Sequence, residues 1–122
     1  CAAALAVIET FEKESLLARS QAVGERLKAG LKRIADRHSA IGDIRGPGAM
    51  IAIELFTDGD LARPDADRTR RIVAEALRRG LILLSCGVYA NVIRILVPLT
   101  ASDAVLDEGL AVLSDCFDAL DR

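Results

Sequence analysis

The chain has 122 residues, 52% of them hydrophobic and 28% charged, with a formal net charge of -2. That is room for one domain with a real core, and the slightly acidic balance with no basic stripe excludes nucleic acid or a membrane surface as partner. Aromatics are scarce (three Phe, one Tyr, no Trp), so packing has to rest on Leu, Ile, Val and Ala.

Cys1, Cys86 and Cys116 are odd in number and far apart, which argues against a disulfide framework or a metal site. His38 is the single histidine, and composition alone reads it as a solvated residue near a helix end. With no signal peptide and no apolar run of about 18 residues, a cytoplasmic protein is expected. The chain opens on Cys1-Ala2-Ala3-Ala4 rather than Met and is already in helical pattern, so it is expected to be the C-terminal piece of something longer.

Ala2 to Phe11 is Ala-rich and favours helix, with Leu5 and Ile8 on one face. Its exposed apolar residues predict self-association of these 122 residues. Glu12-Lys13-Glu14 marks a bend. Ser15 to about Arg37 is a long amphipathic helix whose stripe runs Leu16, Val23, Leu27, Leu31 and Ile34. Ile41 to Phe56 reads as strand, turn, strand around Gly46-Pro47-Gly48, where Pro presets one dihedral and Gly permits positive φ. That Gly-rich stretch lacks Rossmann and Walker spacing and reads as a structural turn rather than a phosphate cradle. Ala49 to Phe56 is nearly all apolar, as in a strand covered on both faces.

A third helix pattern follows from Asp65 to Arg79, acidic at its start, basic at its end and stopped by Gly80. Leu81–Leu84 and Val92–Val97 then read as two more strands. Thr100 is expected to cap a last helix, with Asp103 three residues on and a stripe of Leu106, Leu110, Leu113, Phe117 and Leu120. The order α α β β α β β α predicts an α+β domain: a small, largely antiparallel sheet of about four strands with helices packed on it, spanning 1–122.

No self-contained catalytic machinery is visible. Lys13, Lys28 and Lys32 lie on hydrophilic faces, away from the desolvated setting a Schiff-base lysine needs. Cys86 has no partner pattern and reads as a buried structural thiol. The unusual residue is Arg94, a permanent charge inside the aliphatic strand Val92-Ile93-Arg94-Ile95-Leu96-Val97. Two partners are open to it: Glu54, an acid in an equally apolar strand that is also open to Arg45, or the carboxylate of a ligand. A guanidinium fork matches a carboxylate bidentately. The small Ser85-Cys86-Gly87 loop would let a ligand approach the backbone closely.

The string Ser85-Cys86-Gly87-Val88-Tyr89-Ala90-Asn91-Val92-Ile93-Arg94 resembles the C-terminal signature of the class III pyridoxal-phosphate aminotransferases, in particular their 4-aminobutyrate (GABA) branch. Lys13-Glu14-Ser15-Leu16, Gly24-Glu25-Arg26-Leu27 and the stretch Ile44 to Leu55 agree with it in order. The resemblance implies the small C-terminal domain of a fold-type-I transaminase, in which Arg94 binds the carboxylate of the amino acid or 2-oxo acid substrate and Ser85 lies close to it. It also implies pyridoxal phosphate and a homodimer or higher homo-oligomer in the full-length enzyme. The cofactor lysine and the phosphate-binding residues belong to a large domain absent from this sequence. These residues alone are therefore expected to bind no cofactor and to be inactive. Other class III specificities (ornithine, acetylornithine, a longer ω-amino acid) and a non-catalytic binding module remain as alternatives.

Overall fold

The computed structural model describes residues 1–121. Four helices, α1 (Ala2–Lys13), α2 (Leu16–Ala35), α3 (Ala66–Arg78) and α4 (Asp103–Leu120), accompany four strands, β1 (Ile41–Arg45), β2 (Met50–Leu55), β3 (Leu84–Cys86) and β4 (Val92–Leu96). A single 3-10 turn, Thr57–Gly59, follows β2. The strands form one antiparallel sheet in the order β1-β2-β4-β3. The α+β class and the element order expected from the sequence are those of the structure.

Period-two and period-3.6 apolar residues meet between sheet and helices. Ile51, Ile53 and Leu55 of β2 and Ile93 and Ile95 of β4 pack against Val23, Leu27, Leu31 and Ile34 of α2. Ile72 and Ala76 of α3, with Leu106, Leu110, Leu113 and Phe117 of α4, close the same core. No buried side-chain nitrogen or oxygen among the described residues lacks a hydrogen-bond partner. The β1–β2 turn presses on α2: a Cβ on Gly24 would sit 2.0 Å from the Gly48 carbonyl oxygen, while the Ala49 N–H donates to Ser20 Oγ at 3.1 Å. Gly46 and Gly48 take φ of 137° and 49°, the positive values expected of this turn.

Several details depart from the sequence reading. β2 is covered on one face only: its burial alternates, and Met50 is 47% exposed. An unbroken apolar run does not by itself place a strand between two layers. Leu81 to Leu83 is not strand; the Leu81 N–H closes α3 on the Ala76 carbonyl at 2.9 Å, and pairing begins only at Leu84. Ser102, not Thr100, caps α4 by accepting from the Val105 N–H. Thr100 lies in the turn before it, and Asp103 opens the helix and pairs with Arg19 and Arg26 instead of closing a capping box. Cys86 is half-buried; the buried thiol is Cys116, which burial pushes up in pKa.

His38 is the largest correction. It is buried between α2 and α4, with Nδ1 2.5 Å from Asp121 Oδ2 and Nε2 3.1 Å from Asp118 Oδ1. Both ring nitrogens thus face carboxylate oxygens, and the tautomer sets which of them donates. Arg68 donates to the other Asp121 oxygen at 2.6 Å, and Arg37 pairs with Asp118. Burial pushes the Asp121 carboxyl up, but the hydrogen bonds from His38 and Arg68 outweigh it and hold the pKa below the ordinary value.

Candidate functional site

The two faces of the sheet differ because side chains alternate along each strand. One face carries the core. The other presents Asp43 and Arg45 of β1, Met50, Ala52 and Glu54 of β2, Arg94 and Leu96 of β4, and Leu84 and Cys86 of β3. No described helix covers this side; Leu84 is 57% and Leu96 63% exposed. Val92 shares the face but is buried under the Gly87–Ala90 turn, where a Cβ on Gly87 would meet Val92 Cγ2 at 2.8 Å.

Arg94 stands in the middle of that open face, directly opposite Ala52 on β2 and Leu84 on β3. A groove of about 310 Å³ beside it is lined by Ile82, Leu84, Leu96 and Arg94 itself. Among the described residues the Arg94 side chain makes no hydrogen bond or ion pair; Glu54 is held by Arg45 and Asn91 instead. It is an exposed cation on a rigid strand amid aliphatic neighbours, so a planar anion meets little competition there. Ser85 is paired with Ile93, so its side chain belongs to the core-side face although it is exposed at the sheet edge. The structure therefore does not bring Ser85 and Arg94 together on one face.

Glu54, one of the two partners open to Arg94 in the sequence, is taken by Arg45. Arg45 Nη1 donates to Glu54 Oε2 at 2.6 Å and also to Asp43 Oδ2. These two hydrogen bonds, first that to Asp43 and then that to Glu54, hold the Arg45 guanidinium above its ordinary pKa. The other Glu54 oxygen accepts from Asn91 Nδ2 at 3.2 Å. Asn91 is 1% exposed and donates as well to the Leu55 carbonyl at 3.0 Å, which fixes the start of β4 against the end of β2. Sequence reading singled out Glu54 and its two arginines but missed the roles of Asp43 and Asn91. The position of Asn91 inside the quoted string was the available signal.

The residues present do not fit pyridoxal phosphate. Lys13, Lys28 and Lys32 are all exposed, two of them paired with Glu9 and Asp36. The Gly46–Gly48 turn is pressed against α2 and leaves no cradle for a phosphate. An apolar cavity of about 130 Å³ between α4 and the β3–β4 end, with walls that include Leu83, Ile95 and Leu110, is lined by no ionisable side chain. No described helix is long and apolar enough to cross a membrane.

The model of the aminotransferase class-III family matches residues 1–117. The chain is 61% identical over 120 residues to the 5-aminovalerate aminotransferase DavT of Pseudomonas aeruginosa, covering 98% of this chain and 28% of that protein. It is 58% identical over 118 residues to the 4-aminobutyrate aminotransferase GabT of Escherichia coli, covering 97% and 28%. Among solved structures, a Bacillus anthracis aminotransferase superposes with a TM-score of 0.89 at 31% identity, covering 98% of this chain and 28% of that one. A PLP-bound amine transaminase from an uncultivated Pseudomonas species gives 0.87 at 33%, covering 98% and 27%. The chain thus spans little more than a quarter of the length of its relatives, and it belongs to the class-III aminotransferase family.

Proposed function

We propose that these residues are the C-terminal small domain of a pyridoxal-phosphate-dependent transaminase that exchanges the amino group of an ω-amino acid with 2-oxoglutarate, and that Arg94 binds the substrate carboxylate. The single observation that carries this is the lone guanidinium on the open sheet face, whose sequence rival Glu54 is already taken by Arg45. The domain's part in the reaction is to bind and orient: the fork of Arg94 fixes a carboxylate, and the aliphatic side chains of Leu84 and Leu96 keep water from the adjoining methylenes. Ser85 enters through the free edge of β3, where its main chain is open to a ligand. The cofactor and its lysine are carried by residues outside this sequence, so the domain alone does not transaminate. A homodimer or higher homo-oligomer is the fitting assembly for the full-length enzyme, and a cytoplasmic setting is in keeping with three unpaired cysteines.

For the amino donor we propose 4-aminobutyrate. The identity of 61% to a 5-aminovalerate enzyme supports the five-carbon homologue as a second reading. Steady-state assay of the complete protein with 4-aminobutyrate, 5-aminovalerate and ornithine as donors separates these from an ornithine-type specificity. In the same protein Arg94→Ala is expected to raise KM for 2-oxoglutarate about ten- to a hundredfold, the equivalent of one charge-assisted pair worth about 1.5–3 kcal/mol. An unchanged KM rejects the role. A parent reading frame with no lysine-bearing domain upstream would instead favour a free-standing binding module.

A further inference from the structure

We infer that Arg45 is a positioning residue that holds Glu54 away from Arg94 and so keeps the Arg94 guanidinium free for a carboxylate-bearing substrate; this rests on the carboxylate-binding role proposed for Arg94. The argument begins with the strand register. Arg45 on β1 and Arg94 on β4 are both directly opposite Ala52, one on each side of β2. Glu54 lies two residues further along β2, on the same face, and is therefore diagonal to both arginines at once. Diagonal cross-strand neighbours are within reach of long side chains. By topology alone, the acid has two equivalent cations to choose from.

Asp43 breaks the tie. It is directly opposite Glu54 on β1, so two like charges face each other across the strands, an arrangement that is unfavourable unless a cation bridges it. Arg45 does so, with one nitrogen donating to both carboxylates. Asn91 takes the second Glu54 oxygen from the other side. Glu54, only 22% exposed, is thereby held on the β1 side, and Arg94 is left without a protein anion among the described residues. Remove Arg45 and two acids remain on this face of the strands, where Arg94 is the other cation among the described strand residues. Glu54 would then turn to Arg94 and act as an internal competitor of the substrate carboxylate.

The test is steady-state kinetics of the complete enzyme with Arg45→Ala, Arg45→Lys, Arg45→Ala/Glu54→Gln and Arg94→Ala. Arg45→Ala is expected to raise KM for 2-oxoglutarate about fivefold with kcat held, the size of one partly exposed ion pair formed in competition. Arg45→Lys, which keeps a cation between the acids, should stay within about twofold of the parent enzyme. The added Glu54→Gln, isosteric but uncharged, should bring KM back. A loss confined to folding would move kcat, thermal stability and the double variant together, and recovery on neutralising Glu54 is what a merely structural role does not give. If Arg94→Ala raises KM while Arg45→Ala leaves it unchanged, or if Glu54→Gln does not restore it, the inference is overturned and the reading of Arg94 stands. If Arg94→Ala leaves KM unchanged, that reading falls and takes the inference with it.

Discussion

The sheet has two faces built from the same aliphatic strands, and they are used in opposite ways. On the core side Ile51, Ile53, Leu55, Ile93 and Ile95 are sealed under three helices. On the other side Met50, Leu84 and Leu96 stay exposed around Arg94 and the Asp43–Arg45–Glu54 cluster. Large apolar residues left in the open beside a charge are uncommon on a monomer that has nothing further to bind. α1 repeats the pattern, with no buried residue and Leu5, Val7, Ile8 and Phe11 exposed. The core-side residues explain why the domain folds, and the open-face residues carry the role proposed for it.

Substitutions that treat the two faces alike should therefore give unlike results. Ile53→Ala removes a fully buried side chain and is expected to cost about 3 kcal/mol of stability, measured by denaturant unfolding of the 122-residue chain. Leu96→Ser on the open face should change stability by less than about 0.5 kcal/mol in the same measurement. Equal losses at the two positions would mean that the open face is part of the core.

A smaller effect comes from acid. The hydrogen bonds from Arg19 and then Arg26 hold Asp103 below its ordinary pKa, and His38 and Arg68 do so for Asp121. Folded values lower than unfolded ones mean stabilisation that is complete above the unfolded carboxylate value, about 4, and lost as pH falls through the folded one. Urea midpoints measured between pH 5 and pH 2 should fall less steeply for Asp121→Asn than for the parent chain. Identical slopes would show that the α4 end is not held this way.

One expected change is a gain. A Cβ on Gly109 would meet only Leu81 Cδ1, at an ordinary 3.7 Å, in the middle of α4. Gly109→Ala should raise stability by about 0.5–1 kcal/mol, read as a higher thermal midpoint, without touching the open face.

Much of this was legible beforehand, and the exceptions share a cause. Helix and strand periods yielded the element order, and Arg94 stood out because its neighbours are all aliphatic. What stayed hidden depended on the geometry of the folded chain rather than on local pattern, for His38 on partners 80 and 83 positions away. His38 looked solvated because nothing near it in sequence announces Asp118 and Asp121. Thr100 and Ser102 are both good caps by type, and only the turn geometry at Pro98–Ala101 chooses between them. Glu54 could not be assigned to Arg45 or Arg94 without the register, which is itself shifted by an irregularity between Ile41 and Asp43.

Strand β4 is fastened beyond both of its ends. Before it, Asn91 grips Glu54 and the Leu55 carbonyl. After it, Arg19 reaches from α2 to the Leu99 carbonyl at 3.2 Å, the Ala101 carbonyl at 2.5 Å and Asp103 at 2.7 Å. Arg94 sits midway, like a fret on a string stretched between two pegs. Its backbone has little room to travel, so in the carboxylate-binding role proposed for Arg94 any accommodation of shorter or longer substrates falls to the rotatable bonds of its own side chain.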